Sequence, residues 1–358
     1  MSQKLTVNIK LNPSKEQESS LNEMSRLYVD TVNMLVAEMV EVKLILKKTS
    51  KDVKVILPSV VKNQAIRDAQ SLFYKAKKKK FENVSILKKP ICFWNNQSYT
   101  FDCDYIYIPI ILDGKVKRAA IQAHMIDKDD RNFSLLKHKL GALRITQKSN
   151  KWIAQIAITV PTVEKNDGKI MGVDLGLKVP AVAITDCGKP KFFGNGRENK
   201  YMRRMFQSTR KELSRNKKVK AVKNLGNKEQ RWMRDKDHKI SRKIVEFAKV
   251  NDVSVIRLEK LTKLRQTART SRKNTKNLHT WSFYRLSKYI EYKAKLDGIK
   301  IEYVNPAYTS QMCPSCGKKN KAKDRVYSCS CGLKKHRDLI GAMNIRWAPV
   351  VDGNSPSA

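Results

Sequence analysis

Three acidic residues, far apart in the chain, stand where a carboxylate could bind a divalent cation. Asp174 follows the apolar run Ile170-Met-Gly-Val173, which favours a buried strand, and Gly176 comes just after it. Burying a carboxylate costs free energy, and a bound divalent cation commonly offsets that cost. An aspartate that only caps a turn before Gly176 is the alternative interpretation of this segment taken by itself.

Two further acids favour the interpretation as a cation site. Glu259 ends a second β-type run, Asp252-Val-Ser-Val-Ile-Arg-Leu258, and Asp338 precedes a segment of helical character at 339–345. Three ionised carboxylates brought together without metal would raise one another's pKa values. With two Mg²⁺ ions about 4 Å apart, the same cluster activates a water and stabilises the leaving oxygen of a phosphodiester. The acids therefore predict a two-metal centre that hydrolyses nucleic-acid backbone.

Four cysteines form a second constellation. Cys313-Pro-Ser-Cys316 and Cys329-Ser-Cys331 are separated by 12 residues, and Gly317 and Gly332 directly follow the two pairs. Four thiolates on two tight turns can close one tetrahedral, structural Zn²⁺ site. The one-residue spacer of the second pair is less common, and His336 is an alternative ligand. Unrelated cysteines are the competing interpretation, but four of the chain's seven fall within 19 residues.

A ribbon this small has almost no core, so the metal would supply its folding energy. The ribbon is strongly basic, and its position beside Asp338 suits a contact with a nucleic-acid strand; its lysines are Lys318, Lys319, Lys321, Lys323, Lys334 and Lys335. The remaining cysteines, Cys92, Cys103 and Cys187, are predicted to be small buried hydrophobic residues.

The charge of the chain predicts a polyanionic partner. Its 358 residues carry 74 Lys and Arg against 33 Asp and Glu, a formal excess of +41. Nucleic acid is favoured over a membrane surface as that partner. No run of 18 apolar residues is present and Met1-Ser-Gln-Lys-Leu-Thr lacks a signal-peptide core, so we expect a cytoplasmic, nucleoid-associated prokaryotic protein that has no membrane partner. The length allows two or three domains.

The N-terminal part combines a strand with two helices. Residues 5–10 alternate as a strand; a helix then begins near Pro13, with Ser14 as N-cap and Gln17 completing a capping box. A second helix is predicted from Pro58 to Lys80, and it ends in four consecutive lysines. Such a run can simply be a solvated helix end that suits the helix dipole. With this net charge, phosphate contact is the favoured interpretation.

Short strands dominate residues 84–163, where Lys148-Ser-Asn-Lys151 marks a hairpin turn. They predict a small antiparallel barrel that includes the first strand and is interrupted by the helices. Residues 200–249 are helical, with 18 Lys or Arg against five acids. A solvent-bridging helix pair is the alternative to nucleic-acid binding there. Residues 262–280 are predicted to be mobile and the tail disordered.

The order of elements after residue 168 is β-β-β-α-β-α-β-α, with acids on the first strand, the fourth strand and the last helix. This is the RNase H-type arrangement. The motifs Gly172-Val-Asp-Leu-Gly176, Arg257-Leu-Glu259, Asn305-Pro-Ala-Tyr-Thr-Ser310 and His336-Arg-Asp338, together with the paired cysteines, resemble those of TnpB. TnpB is the transposon-encoded RNA-guided DNA nuclease from which compact type V CRISPR effectors descend. The motifs cover residues 166–347, whereas residues 1–165 match only in layout.

The resemblance implies an α+β multidomain protein. Its expected parts are a wedge β-barrel (1–12 and 83–165), an inserted helical recognition lobe (13–82), a RuvC-like nuclease (166–305 and 334–347), a zinc-ribbon insert (306–333) and a disordered tail (348–358). It implies Asp174, Glu259 and Asp338 as catalytic Mg²⁺ ligands and the four paired cysteines as zinc ligands. It also implies a guide RNA from the transposon end and a target double-stranded DNA with a short flanking motif, with one protein copy per RNA favoured.

Basic residues on the predicted helices are the candidate nucleic-acid contacts: Lys77, Lys78, Lys79, Lys80, Arg203, Arg204, Arg210, Lys217, Lys218 and Arg242. In such systems base pairing reads the sequence, while the protein supplies a cationic channel. Competing functions are a nuclease-inactive RNA-guided repressor, a compact type V CRISPR effector and a DNA-joining transposase. The repressor is disfavoured because all three acids are present.

Overall fold

The computed structural model describes residues 2–102, 104–125, 131–165, 168–261, 275, 278–322 and 324–351, with the side chains of 131–133 left out. The chain divides into two compact units, Ser2–Pro161 and the part from Thr162 onward. Cys103, most of the stretch 262–280 that the sequence predicts to be mobile, and the tail from residue 352 lie outside the described residues.

The first unit is a curled antiparallel sheet with helices packed on it. Its elements are β1 (Ser2–Asn12), α1 (Lys15–Glu41), α2 (Ser59–Lys78), β2 (Ile91–Trp94), β3 (Thr100–Asp102), β4 (Tyr105–Leu112), β5 (Lys115–Met125), α3 (Arg131–Leu136), β6 (Lys139–Lys148) and β7 (Lys151–Pro161). The strand order is β2-β6-β7-β1-β5-β4-β3, so the first strand does belong with the later ones. Within the described residues the short strands β2 and β3 are edges, which makes the sheet a half-barrel where the sequence predicted a barrel.

The helices of this unit follow their apolar patterns. Ser14 caps α1, and its side chain and that of Gln17 form the predicted reciprocal capping box. In α2 the buried face includes Phe73, whereas the neighbouring Leu72 is only half-buried. The larger aromatic ring fills the space between α2 and its neighbours, where it contacts the Phe81 ring at a centroid distance of 5.7 Å.

The second unit contains two smaller sheets. Its elements are β8 (Ile170–Leu175), β9 (Ala181–Ile184), β10 (Pro190–Phe193), α4 (Gly196–Arg215), α5 (Val219–Leu225), α6 (Lys228–Val250), β11 (Val255–Glu259), α7 (Phe283–Leu296), β12 (Lys300–Val304), β13 (Val326–Ser328), β14 (Lys334–His336) and α8 (Arg337–Trp347). The main sheet has the order β10-β9-β8-β11-β12, and β13 pairs with β14.

The main sheet joins an antiparallel half to a parallel half. β10, β9 and β8 form an antiparallel meander, and β8, β11 and β12 run parallel, as the crossover helices between them require. The core beneath it contains Ile240 and Ile244 of α6 and Leu286 and Ile290 of α7, each pair at the four-residue spacing of one helix face. This packing fixes where β8 and β11 end.

Residues 348–351 were predicted to begin the disordered tail, but they lie against β12. Val351 donates its backbone N–H to Tyr303 O at 2.9 Å, and Val350 forms an antiparallel bridge with Val304. The apolar side chains and the free edge of β12 explain this pairing. None of the helices in the described residues is both long and apolar enough to cross a membrane.

Candidate active site and metal centre

The main sheet and α8 bring the three acids together. Asp174 is the penultimate residue of β8, and Glu259 is the last residue of β11. Val173 is paired with Leu258 across these parallel strands, so the next residue of each, Asp174 and Glu259, project side by side. Asp338 lies in the first turn of α8, which packs on β8.

Glycines allow the elements that carry the acids to approach closely. A Cβ atom on Gly341 would lie 2.9 Å from Asp174 Oδ2, and one on Gly172 would lie 2.1 Å from a carbonyl oxygen of α8. A Cβ on Gly176 would lie 3.9 Å from Asp338 Oδ2. The carboxylate of Asp174 therefore rests against α8, close to the helix turn that carries Asp338.

Burial and the two neighbouring acids make Asp174 harder to ionise. Desolvation raises the pKa of the Asp174 carboxyl well above its usual value, and the charges of Glu259 and Asp338 raise it further. Desolvation also raises the pKa of Glu259, against a hydrogen bond from Thr309 that lowers it. Enclosed carboxylates in this state are stabilised by a cation, and a divalent ion supplies the largest charge. Carboxylate oxygens are the ligand type that Mg²⁺ prefers, so the chemistry of the donor set suits this ion. Among the described residues, the group whose ligand atoms all lie within 4.8 Å of one another is the four paired cysteines, so the acids would have to draw closer around a bound ion.

An arginine of the β13–β14 ribbon contacts this cluster. Arg325 Nη1 donates to Asp338 Oδ1 at 2.7 Å and to Oδ2 at 2.9 Å. The charges of Arg337 and Arg325 both lower the pKa of Asp174. No sequence pattern marks Arg325, because no periodicity links a loop arginine to an acid 13 residues further on. Its guanidinium neutralises part of the acidic charge.

Thr309 is a second site residue that the sequence analysis did not single out. Its side-chain hydroxyl donates to Glu259 Oε1, and the residue is buried. The signal that could have found it is its place in Asn305-Pro-Ala-Tyr-Thr-Ser310, a motif that supported the family resemblance although no role was assigned within it.

The four paired cysteines converge on a single point. The Sγ atoms of Cys313 and Cys331 are 3.6 Å apart, those of Cys316 and Cys329 are 3.5 Å apart, and all four lie within 4.8 Å of one another. Tetrahedral Zn²⁺ with Zn–S bonds of about 2.3 Å separates its sulfurs by about 3.8 Å. The spacing fits zinc despite the one-residue spacer of the second pair.

The turns around the cysteines explain the two glycines. Gly317 and Gly332 have φ values of +70° and +89°, and their N–H groups donate to the carbonyls of Cys313 and Cys329. The pKa of the Cys329 thiol is lowered to about 6, chiefly because the Cys331 N–H donates to its sulfur. Thiolates are the form that binds metal.

His336 has a different role from the alternative ligand role considered above. Its Nδ1 accepts from the Asp338 N–H at 3.3 Å, which makes it the N-cap of α8, and its ring packs edge-on against Phe192. Of the other cysteines, Cys92 is buried as predicted, whereas Cys187 is exposed. The prediction for Cys187 is wrong because the residue lies in the turn between β9 and β10.

The candidate nucleic-acid contacts fall into two groups. The exposed ones are Lys77, Lys78, Lys79, Lys80, Arg204, Lys217, Lys218 and Arg242. Arg203 and Arg210 are half-buried instead: Arg210 Nη1 bonds to Glu229 Oε2 at 2.7 Å, and Arg203 lies near Glu229 and Asp237. These two arginines hold α4 against α6, so the exposed group is better placed to bind phosphate.

Comparisons with known proteins show which proteins the chain is similar to. The family model described as "Cas12f1-like, TNB domain" matches residues 283–345. A CRISPR-associated endodeoxyribonuclease Cas12f1 of Sulfoacidibacillus thermotolerans is 29% identical over 218 residues, covering 55% of this chain and 50% of the relative. A TnpB-like protein of Methanocaldococcus jannaschii is 36% identical over 120 residues, which cover 33% of this chain and 43% of the relative.

A solved structure matches the chain more completely. The cryo-EM structure of the Cas12f1-sgRNA-target DNA complex aligns with a TM-score of 0.69 at 17% identity, covering 92% of this chain and 82% of that chain. The chain thus has the fold of a Cas12f-type protein. Its sequence is similar to Cas12f1 and TnpB-like proteins, and this similarity confirms the resemblance inferred from its motifs. The chain spans about half the length of the curated relatives it matches.

Proposed function

We propose that this protein is an RNA-guided DNA endonuclease of the TnpB type, which cuts by Mg²⁺-dependent hydrolysis at one RuvC-like site. The observation that carries the proposal is the meeting of Asp174, Glu259 and Asp338 at the ends of two parallel strands and one helix. The raised pKa of Asp174 supports it, because functional acids are commonly found in such environments.

Two Mg²⁺ ions at the acids would polarise the phosphodiester and help generate the attacking hydroxide. Asp174 and Glu259 would hold metal from the sheet, and Asp338 would hold it from α8 after exchanging its bonds to Arg325 for metal contacts. The Arg325 guanidinium could then bind a phosphate group through two parallel N–H···O bonds. One Zn²⁺ held by the four paired cysteines would keep the ribbon, and so Arg325, in place.

The strand order and directions of the main sheet support its assignment as an RNase H-like RuvC domain. The proposed domains are a wedge barrel (1–12 and 83–165), a recognition lobe (13–82), a nuclease (166–305 and 334–347) and a zinc-ribbon insert (306–333). The exposed lysines at 77–80 and the basic face of α4 to α6 would bind the phosphates of a guide RNA and its paired DNA strand. The expected location is the prokaryotic cytoplasm, with one protein copy per RNA.

The test uses the ribonucleoprotein purified from cells that express the protein with its flanking DNA. The RNA that co-purifies is sequenced, and a plasmid library with a matched target and randomised flanking bases is added with Mg²⁺. We expect linearised plasmid for a subset of flanking sequences. Asp174→Ala should retain binding and reduce cutting by about a thousandfold or more, since metal contributes several kcal/mol to such transition states.

The matched control is Asp235→Ala, an exposed acid of α6 that should cut like the wild type. Uncut plasmid across all flanking sequences would contradict the proposal, and cutting by Asp174→Ala would contradict the site. A footprint without product under any divalent metal would instead indicate an RNA-guided repressor. Strand-transfer products in the absence of RNA would indicate a transposase.

A compact CRISPR effector is the second candidate, because two of the matched proteins are named Cas12f1. The co-purified RNA separates the two contexts. A CRISPR repeat in that RNA would favour the effector, and an RNA that ends within the transposon boundary would favour TnpB.

A further inference from the structure

We propose that Thr309 is a positioning residue that orients Glu259 for metal binding and ties it to the helix that carries Asp338. The inference rests on the proposed function, because it concerns the same acids. It identifies Thr309 as the residue that determines the orientation of the Glu259 side chain.

The contact to Glu259 is direct. Thr309 is 7% exposed, and its Oγ1 donates to Glu259 Oε1. The form of Glu259 that binds a cation is the ionised carboxylate, which can only accept, so in that form the single hydroxyl proton of Thr309 points toward Glu259 instead of toward Pro306 O, which is 3.2 Å away. Glu259 Oε1 is thereby engaged by the protein, which leaves Oε2 as the oxygen with its lone pairs free for a cation.

The backbone of Thr309 is anchored to α8. Asn344 Nδ2 donates to Thr309 O at 2.6 Å and to Met312 O at 2.8 Å. Asn344 lies six residues after Asp338 on the same helix. The chain of contacts therefore runs from Glu259 on β11, through Thr309, to the element that carries Asp338, and it fixes the separation of the two acids.

The segment that carries Thr309 has little freedom of its own. Asn305 Oδ1 accepts from the Ala307 N–H at 2.9 Å, and the N–H groups of Gln311 and Met312 donate to Tyr308 O at 2.9 and 3.0 Å. Tyr308 has a φ of +62°, a conformation that a large side chain adopts only when its surroundings hold it there. A rigid support is what a positioning residue requires.

Glutamate is the acid that most needs such support. Its longer side chain has more rotamers than that of aspartate, and holding it in one of them costs conformational entropy at the moment of metal binding. A hydroxyl that is already bonded to one carboxylate oxygen restricts the glutamate rotamer before the metal arrives, so less entropy is lost on metal binding. Outer contacts of this kind commonly change metal affinity or activity by about 10- to 100-fold when removed.

The experiment compares Thr309→Val, which keeps the shape and removes the donor, with Thr309→Ser, which keeps the donor. Cleavage by each ribonucleoprotein is measured against Mg²⁺ concentration. We expect the half-saturating Mg²⁺ to rise by about 10-fold or more in Thr309→Val and to stay within about threefold of wild type in Thr309→Ser. An equal Mg²⁺ dependence in Thr309→Val and wild type would overturn the inference.

A second measurement does not depend on cleavage. Mn²⁺ is titrated into the full chain without RNA, zinc retained, and the rise in unfolding temperature is recorded, with Glu259→Gln as the reference for a damaged site. Thr309→Val should need about 10-fold more Mn²⁺ than wild type for the same rise. If Thr309→Val does not fold, Thr309→Ala replaces it in both assays, with Thr309→Ser again as the rescue.

The outcomes separate the two proposals. If the wild type cuts, Glu259→Gln does not, and both threonine variants behave like the wild type in both assays, only the role of Thr309 fails. If the wild type cuts no DNA, the proposed function fails, while the Mn²⁺ titration still decides whether Thr309 supports Glu259. A loss of Mn²⁺ response in Thr309→Val that Thr309→Ser restores supports the inference in either case.

Discussion

The acid cluster and the cysteine cluster are held in place by different parts of the same unit. The acids lie at the ends of β8 and β11 and on α8, elements that are fixed by two apolar core clusters. The cysteines lie on turns of a two-stranded ribbon whose buried apolar cluster is centred on Cys313, Tyr327 and Ile340. The first cluster is therefore positioned by the fold before any metal arrives, whereas the second needs metal to hold its own segment together.

The two clusters also differ in what they cost the folded chain without metal. Desolvation and the charges of the neighbouring acids raise the pKa of Asp174, so its ionisation at neutral pH works against folding. Without zinc the ribbon loses the bonds that would close it, and a small apolar cluster around Cys313 and Tyr327 remains to hold it. Arg325 connects the two, because it belongs to the ribbon and binds Asp338.

Removing a zinc ligand should have the largest effect. Cys313→Ser should release the zinc and leave residues 306–336 without fixed structure, because structural zinc contributes about 10 kcal/mol or more to such folds. Hydrogen exchange of the ribbon amides and zinc content of the purified chain measure this. Cys187→Ser, an exposed cysteine outside the cluster, is the control. A ribbon that stays protected without zinc would remove the contrast between the clusters.

A methyl group added beside the acids should reduce cleavage while leaving the fold intact. In Gly341→Ala the new Cβ would lie 2.9 Å from Asp174 Oδ2, so the carboxylate must move. Misplacement of a reacting group by about 1 Å can cost about 100-fold in rate. The cleavage rate should fall by about 10- to 100-fold, whereas the free energy of unfolding should change little, since alanine is the better helix former. An unchanged rate would show that the acids are loosely held.

Removing the buried charge should stabilise the chain in Mg²⁺-free buffer with zinc retained. The folded-state pKa of Asp174 is raised, so its favourable contribution is present at low pH and lost as pH rises through that pKa. Asp174→Asn should therefore be more stable than wild type near pH 7, by more than the change of about 0.5 kcal/mol that is usual for a surface substitution. The difference should shrink on acidification.

Chemical unfolding at several pH values measures this, with Asp235→Asn as the surface control, expected within about 0.5 kcal/mol of wild type. A wild type as stable as Asp174→Asn at pH 7 would mean that the acids carry no electrostatic cost.

The connection between the clusters should give the smallest effect. Arg325→Gln removes a partly exposed guanidinium from Asp338, and we expect a loss of about 0.5–1.5 kcal/mol in unfolding free energy without Mg²⁺. Added Mg²⁺ should recover most of it, because the ion replaces the missing charge. A loss that Mg²⁺ does not recover would show that Arg325 acts only on the ribbon.

Local patterns predicted the local features well. The cysteine spacing located four sulfurs that do meet, because both pairs and their glycines lie within one short segment. The capping box at Ser14 and the hairpin turn before Lys151 were found for the same reason. Local patterns do not predict the cluster of acids. The order of strands and helices, together with the family resemblance, is what linked Asp174 to Glu259 and Asp338.

Sequence patterns did not predict the features that depend on tertiary packing. The contacts of Arg325 and Thr309 join segments whose separation in the chain carries no period, so no pattern marks them. The strand pattern predicts a closed barrel where the structure has a half-barrel, because alternation specifies which residues share a strand face and does not specify whether the sheet closes. Arg203 and Arg210 were grouped with free cations because composition does not show which arginines face Glu229 or Asp237.

The pairing of residues 348–351 with β12 has a consequence for solubility. β12 is an outer strand of its sheet, and the unpaired N–H and C=O groups of such a strand can recruit a strand from another molecule. Val351 and Val350 occupy part of that row. A chain shortened to Trp347 would expose these backbone groups of β12. Concentrated solutions of that chain should form intermolecular β-structure more readily than the full chain.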